Sequence, residues 1–494
     1  MIESVVRLIY TAVLGGAALY ALHIIVLIVL FLIHGRKPSP ALPAVSDDAL
    51  PVVTVQLPLR NERWVARDAM RALAALDWPR DRLEIQVLDD SEDETSALVD
   101  EEAQRLRTMG VDLVVRRRDQ PTGYKAGALA EGCQAARGAF FAVFDADFQP
   151  SPDFLRRTVP YLLADRTLGM VQARWTYFNA AHSWVTRVQA LALDAHFAVE
   201  QVARNRAGLC SNANGSATVW RREAIEAAGG WQGDTVTEDL DLSYRLQLAG
   251  WRALYLPEVV APSELPTLIA AFRSQQARWA KGAIQCLRKL TWPILCSRRL
   301  HPGQKIMGLL HLSGYVTQVV LLVMMLLTVP MVLVSPTFPR FVVWLGAVVS
   351  IPPVLFVLGQ WSLYRDWLRR ILFYPLLMLV WIGIAWRLTL AVFDGLLHWA
   401  GPFERTPKFG AHGRQPPKDS YLPRPGVSSL GELALAVYAA AATWLALSTG
   451  QGHLAWVAGA YALGNLLVWA GMVWQARSVL GQWLRRDNSG RCVR

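Results

Sequence analysis

Hydrophobic and polar positions divide the chain into regions of two kinds. Residues 5–33 are dominated by Val, Leu, Ile and Ala, and the basic segment His34-Gly-Arg-Lys37 follows them. This run exceeds the ~20 residues that a helix needs to cross a bilayer. A secretory signal peptide has a shorter apolar core, a basic start and small residues at its cleavage site. We therefore predict a retained transmembrane helix with the N-terminus outside and the chain in the cytoplasm from residue 37.

Long apolar runs return only in the C-terminal part of the chain. They cover residues 306–334, 341–361, 371–397, 433–447 and 454–474. Arginines after the second of these runs and near the C-terminus indicate cytoplasmic positions, because positive charge is retained on that side. Residues 371–397 must then begin and end on the same side. We predict that they are re-entrant or interfacial and that the chain has five full spans.

The region between the first helix and these runs alternates short apolar strands with amphipathic helices. Strands are predicted at residues 52–57, 83–88, 111–115 and 139–144, and helices at residues 62–76, 94–109 and 125–136. This order is typical of a doubly wound, mostly parallel α/β sheet. The predicted architecture is an α/β domain inserted between transmembrane α-helices.

The pattern also predicts the boundaries of the parts. These are a transmembrane helix (1–37), a linker (38–51), the cytoplasmic α/β domain (52–264), interfacial helices (265–304), transmembrane and re-entrant or interfacial helices (305–400), a cytoplasmic loop (401–430), two transmembrane helices (431–476) and a basic cytoplasmic tail (477–494).

Composition supports an integral membrane protein. Of 494 residues, 53% are hydrophobic and 18% are charged, against roughly 45–50% apolar and about 25% charged in soluble proteins. The net charge of +11 fits basic residues beside the membrane. The sequence contains no module of basic and aromatic residues of the kind that binds nucleic acid. The five cysteines form no CxxC pair, which favours neither a disulfide framework nor a zinc module.

Acidic residues follow three of the four predicted strands: Glu62, Asp90 and the pair Asp145 and Asp147. Ligands of open α/β sheets bind at the carboxyl ends of the strands, so these side chains should converge. The Asp145-Ala-Asp147 segment suits Mg²⁺ or Mn²⁺ bridging to phosphate oxygens, although a DxD segment alone is usually a solvated turn. Neither GxxxxGK[ST] nor GxGxxG is present, which argues against P-loop and dinucleotide-binding proteins.

Two later segments have ordinary explanations when each is taken alone. Thr237-Glu238-Asp239 fits a helix N-cap with an acidic first turn. Gln275-Gln-Ala-Arg278-Trp279 fits an interfacial helix with an anchoring tryptophan. Trp175 and Trp220 suit a sugar platform or a core position equally, and His196 shows no metal-ligand spacing.

Taken in order, these motifs resemble the signature of the processive family 2 glycosyltransferases, which include cellulose, hyaluronan and chitin synthases. That signature is a separated Asp, DxD, TED and QxxRW, and this chain has Asp90, Asp145-Ala-Asp147, Thr237-Glu-Asp239 and Gln275-Gln-Ala-Arg-Trp279. The strongest likeness, over residues 50–290, is to the plant cellulose synthase-like A and C proteins. The A members make mannan and glucomannan backbones.

The resemblance implies a GT-A domain and a role for each matching residue. Asp239, with Glu238 beside it, would be the catalytic base of an inverting transfer, and Asp147 the metal ligand supported by Asp145. Trp279 would stack on the acceptor sugar. The nucleotide-sugar contacts would be Glu62, Asp90, Lys125, Asp145, Gln275 and Arg278, joined by Thr406 and Lys408 of a gating-like loop, Phe403-Glu-Arg-Thr-Pro-Lys-Phe409. That loop departs from the family's FxVTxK form at Arg405, where the family has a valine.

The implied function is an integral-membrane hexosyltransferase of polysaccharide biosynthesis that uses UDP-glucose or GDP-mannose. It would extend the non-reducing end of a β-linked glycan and pass the product outward, with Tyr315, Gln318, Trp381, Trp386 and Arg387 as candidate path residues. Two alternatives remain open: transfer of one sugar to a lipid acceptor, and a transporter or scaffold with an inactive transferase domain.

Overall fold

The structure is a computed structural model that describes residues 2–335, 338–399, 401, 407–408, 410 and 428–487. Helix α1 (Ile2–His34) precedes an α/β domain, and helices make up the rest of the described chain.

The α/β domain is built on one seven-stranded sheet. Its strands are β1 (Val53–Leu59), β2 (Leu83–Asp89), β3 (Leu113–Arg116), β4 (Phe140–Val143), β5 (Leu168–Tyr177), β6 (Thr218–Arg221) and β7 (Arg252–Ser263). They lie in the order β3-β2-β1-β4-β6-β5-β7. Only β6 is antiparallel to its neighbours, β4 and β5. The prediction of a mostly parallel sheet is confirmed.

Helices cover both faces of this sheet. The helices of the domain are α2 (Ala66–Ala74), α3 (Thr95–Thr108), α4 (Tyr124–Ala135), α5 (Phe154–Ala164), α6 (Trp184–Ala195), α7 (Gln201–Arg206), α8 (Arg222–Ala227) and α9 (Glu238–Leu248), with a π-helical turn at His196–Glu200. Successive side chains of a strand point to opposite faces. In β4, Phe140 and Ala142 pack with α2, α3 and α5, whereas Phe141 and Val143 pack with α4, α8 and α9. The sheet is therefore doubly wound.

Helix α2 begins four residues after the start that the hydrophobic pattern predicts. Asn61 has φ 55°, a left-handed conformation that a right-handed helix cannot include. The chain completes a turn before α2 begins at Ala66. That turn leaves Glu62 at the end of β1 instead of inside a helix.

The remaining helices form the membrane-associated part. They are α10 (Ile269–Cys296), α11 (Pro302–Leu312), α12 (Val316–Leu326), α13 (Thr328–Val334), α14 (Arg340–Val349), α15 (Pro353–Leu363), α16 (Trp367–Ile371), α17 (Tyr374–Leu397), α18 (Ser429–Ser448) and α19 (Gly452–Asp487). Six segments of the described chain are long and apolar enough to cross a membrane: Ile2–His34, Val316–Val334, Arg340–Leu363, Trp367–Leu397, Ser429–Ser448 and Gly452–Ala476. They fit an integral membrane protein.

Helix α17 is unlike the other five candidate spans because both its ends contact the α/β domain or α10. Near its start, the Arg187 guanidinium of α6 lies over the Phe373 ring at 5.2 Å. Near its end, Asp394 pairs with Lys281 of α10 at 2.7 Å. Half of the apolar window of this segment is buried, against a third or less in the other five. These contacts favour the interfacial interpretation of residues 371–397, and the five-span topology stays a prediction.

Side-specific labelling of single cysteines tests this topology. In a background without Cys296 and Cys492, we expect Arg365→Cys and His398→Cys to react with an impermeant maleimide only from the side that carries the α/β domain. Arg340→Cys, between the second and third predicted spans, should react only from the other side. Reaction of residues 365 and 398 from opposite sides would make α17 a full span.

Candidate active site

Acidic side chains from four parts of the α/β domain meet at one edge of the sheet. Glu62 follows β1, Asp90 follows β2, Asp145 and Asp147 follow β4, and Asp239 lies in the first turn of α9. All five line one cavity of about 1550 Å³. The strand order reverses between β1 and β4, and such switch points are where open α/β sheets bind ligands. The predicted convergence of the strand ends is observed.

Three non-glycine residues at this edge have left-handed backbone conformations. They are Asn61 (φ 55°), Tyr124 (φ 51°) and Ala217 (φ 55°). Such conformations cost free energy for residues with a Cβ, and they persist where the surrounding structure requires them. Glu62 and Lys125 directly follow two of them, so the strained backbone sets the direction of these side chains.

Asp145 is paired with Lys125 from the start of α4. The Lys125 ammonium donates to Asp145 Oδ1 at 2.6 Å and to the carbonyl oxygen of Gly215 at 2.8 Å, and it lies 3.5 Å from Glu238 Oε1. Burial alone would raise the pKa of Asp145, but Lys125 and Lys408 overcome that effect and the pKa is lowered. Asp145 is therefore held as a carboxylate.

Asp147 is paired with Lys408, which approaches from beyond α17. Lys408 Nζ lies 2.5 Å from Asp147 Oδ1 and 3.6 Å from Glu62 Oε1. A second contact anchors the same stretch, because the Gly410 N–H donates to Glu264 Oε2 at 2.8 Å. Lys408 thus joins the predicted site although 261 residues separate it from Asp147. Thr406, the other predicted residue of this loop, lies outside the described residues.

Asp90 is fixed by an arginine that the motifs do not include. Arg118 Nε donates to Asp90 Oδ1 at 3.0 Å, and a second guanidinium nitrogen pairs with Oδ2. Both side chains are only 8% exposed. Arg118 also donates to the carbonyl oxygens of Thr122 at 2.8 Å and Tyr124 at 3.0 Å. One buried guanidinium therefore positions both Asp90 and the turn that leads to Lys125.

Asp239 lies at the start of α9, where Thr237 makes no side-chain capping hydrogen bond. Thr237 is nevertheless the N-cap residue of α9, and Glu238 and Asp239 lie in an acidic first turn, as the ordinary interpretation of this segment predicts. Gly215 leaves room for Asp239, since a Cβ on Gly215 would lie 3.2 Å from Asp239 Oδ2. Burial and then the neighbouring Glu238 raise the pKa of Asp239 to about 7, against the opposing effect of Lys125. The pKa of Asp239 is thus raised, whereas the pKa of Asp145 in the same cavity is lowered, so Asp239 is the more basic of the two carboxylates.

The three predicted residues of α10 line the same cavity on one helix face. Gln275, Arg278 and Trp279 are three and four positions apart, which places them on adjacent turns. A buried ion pair between Arg273 and Glu432 at 2.7 Å joins α10 to α18. The membrane helices therefore hold the QQARW segment against the domain.

The cavity continues from these residues into the membrane helices. Tyr315, Gln318, Trp381 and Arg387 line it, and the Tyr315 hydroxyl donates to Gln276 Oε1 at 3.1 Å. Trp386, which we also expected on this path, instead packs against Gly431. The other candidates of the predicted path share a continuous space with the strand-end carboxylates.

Sequence reasoning missed or left undecided several cavity residues. Trp175 lines the cavity and donates to the Ser216 carbonyl oxygen at 3.1 Å, whereas Trp220 is a core residue with 1% exposure. His196 lies in the π-helical turn, which no hydrophobic pattern indicates, and its ring contacts Glu200 Oε2 at 3.1 Å and Asn214 Nδ2 at 3.2 Å.

Comparisons with known proteins identify the family of the chain. Residues 51–282 match the family described as "Glycosyltransferase like family 2". Glucomannan 4-beta-mannosyltransferase 1 of Oryza sativa subsp. japonica is 42% identical over 268 residues, 53% of this chain and 51% of that protein. Probable glucomannan 4-beta-mannosyltransferase 3 of the same organism is 38% identical over 384 residues, 76% of this chain and 69% of that protein. The chain thus spans about half the length of some curated relatives that it matches.

A solved structure shares the fold. It is a mannosyltransferase from Pyrobaculum calidifontis in complex with GDP-Man and Mn²⁺. The TM-score is 0.56 at 22% sequence identity, with 80% of this chain and 99% of that chain covered. At this identity the likeness concerns the fold alone.

The buried pair between Arg118 and Asp90 should stabilise the domain measurably. Removing one partner of a buried ion pair costs about 3–5 kcal/mol, so Arg118→Met should lower the thermal unfolding midpoint in detergent by roughly 6–20 °C. The double variant with Asp90→Asn should recover part of the loss. Arg67→Met breaks an exposed pair with Glu101 and serves as the control. Equal shifts in Arg118→Met and Arg67→Met would contradict the assignment.

Proposed function

Because this chain belongs to the glycosyltransferase like family 2 and has a GT-A fold, we propose that it is an inverting membrane glycosyltransferase that transfers mannose from GDP-mannose to a growing β-linked glycan. The observation that carries the proposal is the single cavity that joins the Asp145 and Asp147 carboxylates, the basic Asp239 and a path into the membrane helices. The names of the relatives support mannose as the sugar.

The donor diphosphate would lie at the β1 and β4 strand ends. Asp147, with Asp145, would hold Mg²⁺ or Mn²⁺, because hard cations prefer carboxylate oxygens. Within the described part of the chain, no group of three or more His, Cys, Asp or Glu side chains is arranged to hold a metal ion alone. Such a cation is commonly bound by one or two carboxylates together with substrate phosphates, which fits this pair. The cation would neutralise charge on the departing diphosphate.

The other residues of the cavity would have separate roles in donor binding and in sugar transfer. Glu62, Asp90 and Lys125 would hold the nucleotide, and Arg278 and Lys408 would add positive charge beside the diphosphate. Asp239 would take the proton of an acceptor hydroxyl as its oxygen bonds to the anomeric carbon. The bond from that carbon to the diphosphate oxygen breaks on the opposite face, so the configuration inverts.

The acceptor would approach from the membrane side. Trp279 would stack on its terminal sugar, and the product would move along the space lined by Tyr315, Gln318 and Trp381. Continuity of this space with the carboxylates supports repeated addition over a single transfer to lipid. Retention of Asp147 and Asp239 argues against an inactive scaffold.

A donor panel tests the proposal. Purified protein with Mn²⁺ or Mg²⁺ is offered GDP-mannose, GDP-glucose, UDP-glucose and UDP-N-acetylglucosamine beside a manno-oligosaccharide, and nucleoside diphosphate release and product length are measured. We expect release from GDP-mannose and a ladder of longer products. A preference for UDP-glucose would contradict GDP-mannose as the donor. Addition of only one sugar would contradict repeated transfer. Release of nucleoside diphosphate from no donor would refute the proposed function.

Asp147→Asn tests the metal assignment. The amide keeps the size of the side chain but removes the negative charge that a divalent cation needs, so transfer should be lost while thermal stability is retained. Asp153→Asn, an exposed site near α5, is the control and should remain active. Undiminished transfer in Asp147→Asn or in excess EDTA would refute the assignment.

Asp239→Asn tests the general base. General-base catalysis contributes about 10²–10⁴-fold, so turnover should fall by at least that factor while donor affinity barely changes. Because the pKa of Asp239 is raised to about 7, its basic form is lost as pH falls, and kcat/KM of the native protein should decline below pH 7. Loss of donor binding in parallel with turnover would instead indicate a binding role.

Trp279→Ala tests the acceptor platform. Loss of the ring should weaken use of a fixed oligosaccharide and leave donor affinity intact, whereas Trp279→Phe should retain part of the activity. Trp292→Ala, at an exposed tryptophan of the same helix, is the matched control. Unchanged acceptor kinetics in Trp279→Ala would show that this side chain is only an interfacial anchor.

A further inference from the structure

We propose that the ion pair of Arg60 and Glu92, at the rim of the cavity, selects guanine nucleotides over uracil nucleotides. This proposal rests on the proposed nucleotide-sugar transfer and adds the residues that distinguish the base. Neither residue belongs to the four motifs, and both line the cavity.

The sheet order places this pair at the nucleoside end of the donor. Counting from β4, which carries Asp145 and Asp147, the carboxylate edge passes β1 and then β2. Neighbouring strands are about 4.8 Å apart, so the end of β2 lies roughly 10 Å from the proposed diphosphate position. A ribose with its base can bridge that span. On the other side of β4, the cavity continues past Asp239 to Trp279 and the membrane helices, where the acceptor would lie. The base would therefore lie at the end of β2.

The backbone beneath the pair is fixed while the two side chains are free to rearrange. The Asn61 N–H donates to Ser91 Oγ at 2.8 Å, and the Glu92 N–H donates to Asn61 Oδ1 at 2.7 Å. The side chains of Arg60 and Glu92 are 38% and 70% exposed, with 3.2 Å between their charged atoms. Exposed ion pairs contribute little stability, so a ligand can separate this one at small cost.

The two side chains carry the donor and acceptor groups that a guanine edge requires. Guanine presents its O6 acceptor beside the N1–H and the 2-amino group, so Arg60 can donate to O6 while the Glu92 carboxylate accepts from both N–H groups. Uracil presents one N–H between two carbonyl oxygens, which would set one carbonyl against the carboxylate. The nearby Asp90 is held in place by the buried Arg118 and is only 8% exposed, whereas Glu92 is 70% exposed and can turn toward a base.

Binding of three nucleoside diphosphates tests the pair. Calorimetry of the full chain with Mn²⁺ compares GDP, UDP and IDP, which is GDP without the 2-amino group. A good bidentate contact to a base discriminates by roughly ten- to hundredfold, and we expect the native protein to prefer GDP over both others by at least tenfold. Glu92→Gln should bind GDP and IDP nearly equally. Arg60→Met removes a donor to an oxygen that all three bases present, so it should weaken GDP, IDP and UDP alike and keep the preference for GDP.

Glu94→Gln is the matched control, because Glu94 pairs with Arg63 in the same loop and does not line the cavity. It should bind all three nucleotides as the native protein does. An unchanged ratio of GDP to IDP affinity in Glu92→Gln, with its thermal midpoint retained, would overturn the base assignment while transfer from GDP-mannose could stand. Tighter binding of UDP than of GDP by the native protein would also overturn it. Failure of the native protein to release any nucleotide in the donor panel would refute the proposed function itself.

Discussion

Carboxylates crowd the edge of the sheet where β1, β2 and β4 end, and their mutual repulsion must be offset by cations. Lys125 neutralises Asp145, Lys408 neutralises Asp147, and Arg118 neutralises Asp90. Each cation comes from a different segment, so charge pairing draws the loop after β3, the start of α4 and the stretch beyond α17 to one point. The cavity keeps its shape because these segments meet there.

The same region also couples the α/β domain to the membrane helices. Helix α10 carries Trp279 into the cavity and is held from the membrane side by the pair of Arg273 and Glu432. Lys281 of α10 pairs with Asp394 near the end of α17. Asp394 lies only a short way before Lys408 in the sequence. Donor site and membrane path are therefore linked through one helix, which is the geometry that glycan extension at a membrane would need.

Much of this arrangement could be predicted from the sequence. The apolar runs predicted β1 to β4 because buried parallel strands have a continuous hydrophobic pattern, and the family assignment from four motifs is confirmed by the relatives. Arg118 was missed because arginines are common in loops and its partner lies 28 residues away. The pair of Arg60 and Glu92 was missed for the same reason. The late start of α2 reflects a turn in which the Val65 and Ala66 N–H groups both donate to the Glu62 carbonyl oxygen, and the helical periodicity does not indicate such a turn.

The carboxylates and lysines at the sheet edge should form a site for a divalent cation that a nucleoside diphosphate completes. Titration of Mn²⁺ with the full chain, followed by electron paramagnetic resonance with and without GDP, tests it most directly. We expect weak Mn²⁺ binding to the protein alone, because Lys125 and Lys408 already pair with Asp145 and Asp147, and much tighter binding when GDP is present. Equal Mn²⁺ binding with and without GDP, or no binding in either case, would contradict it.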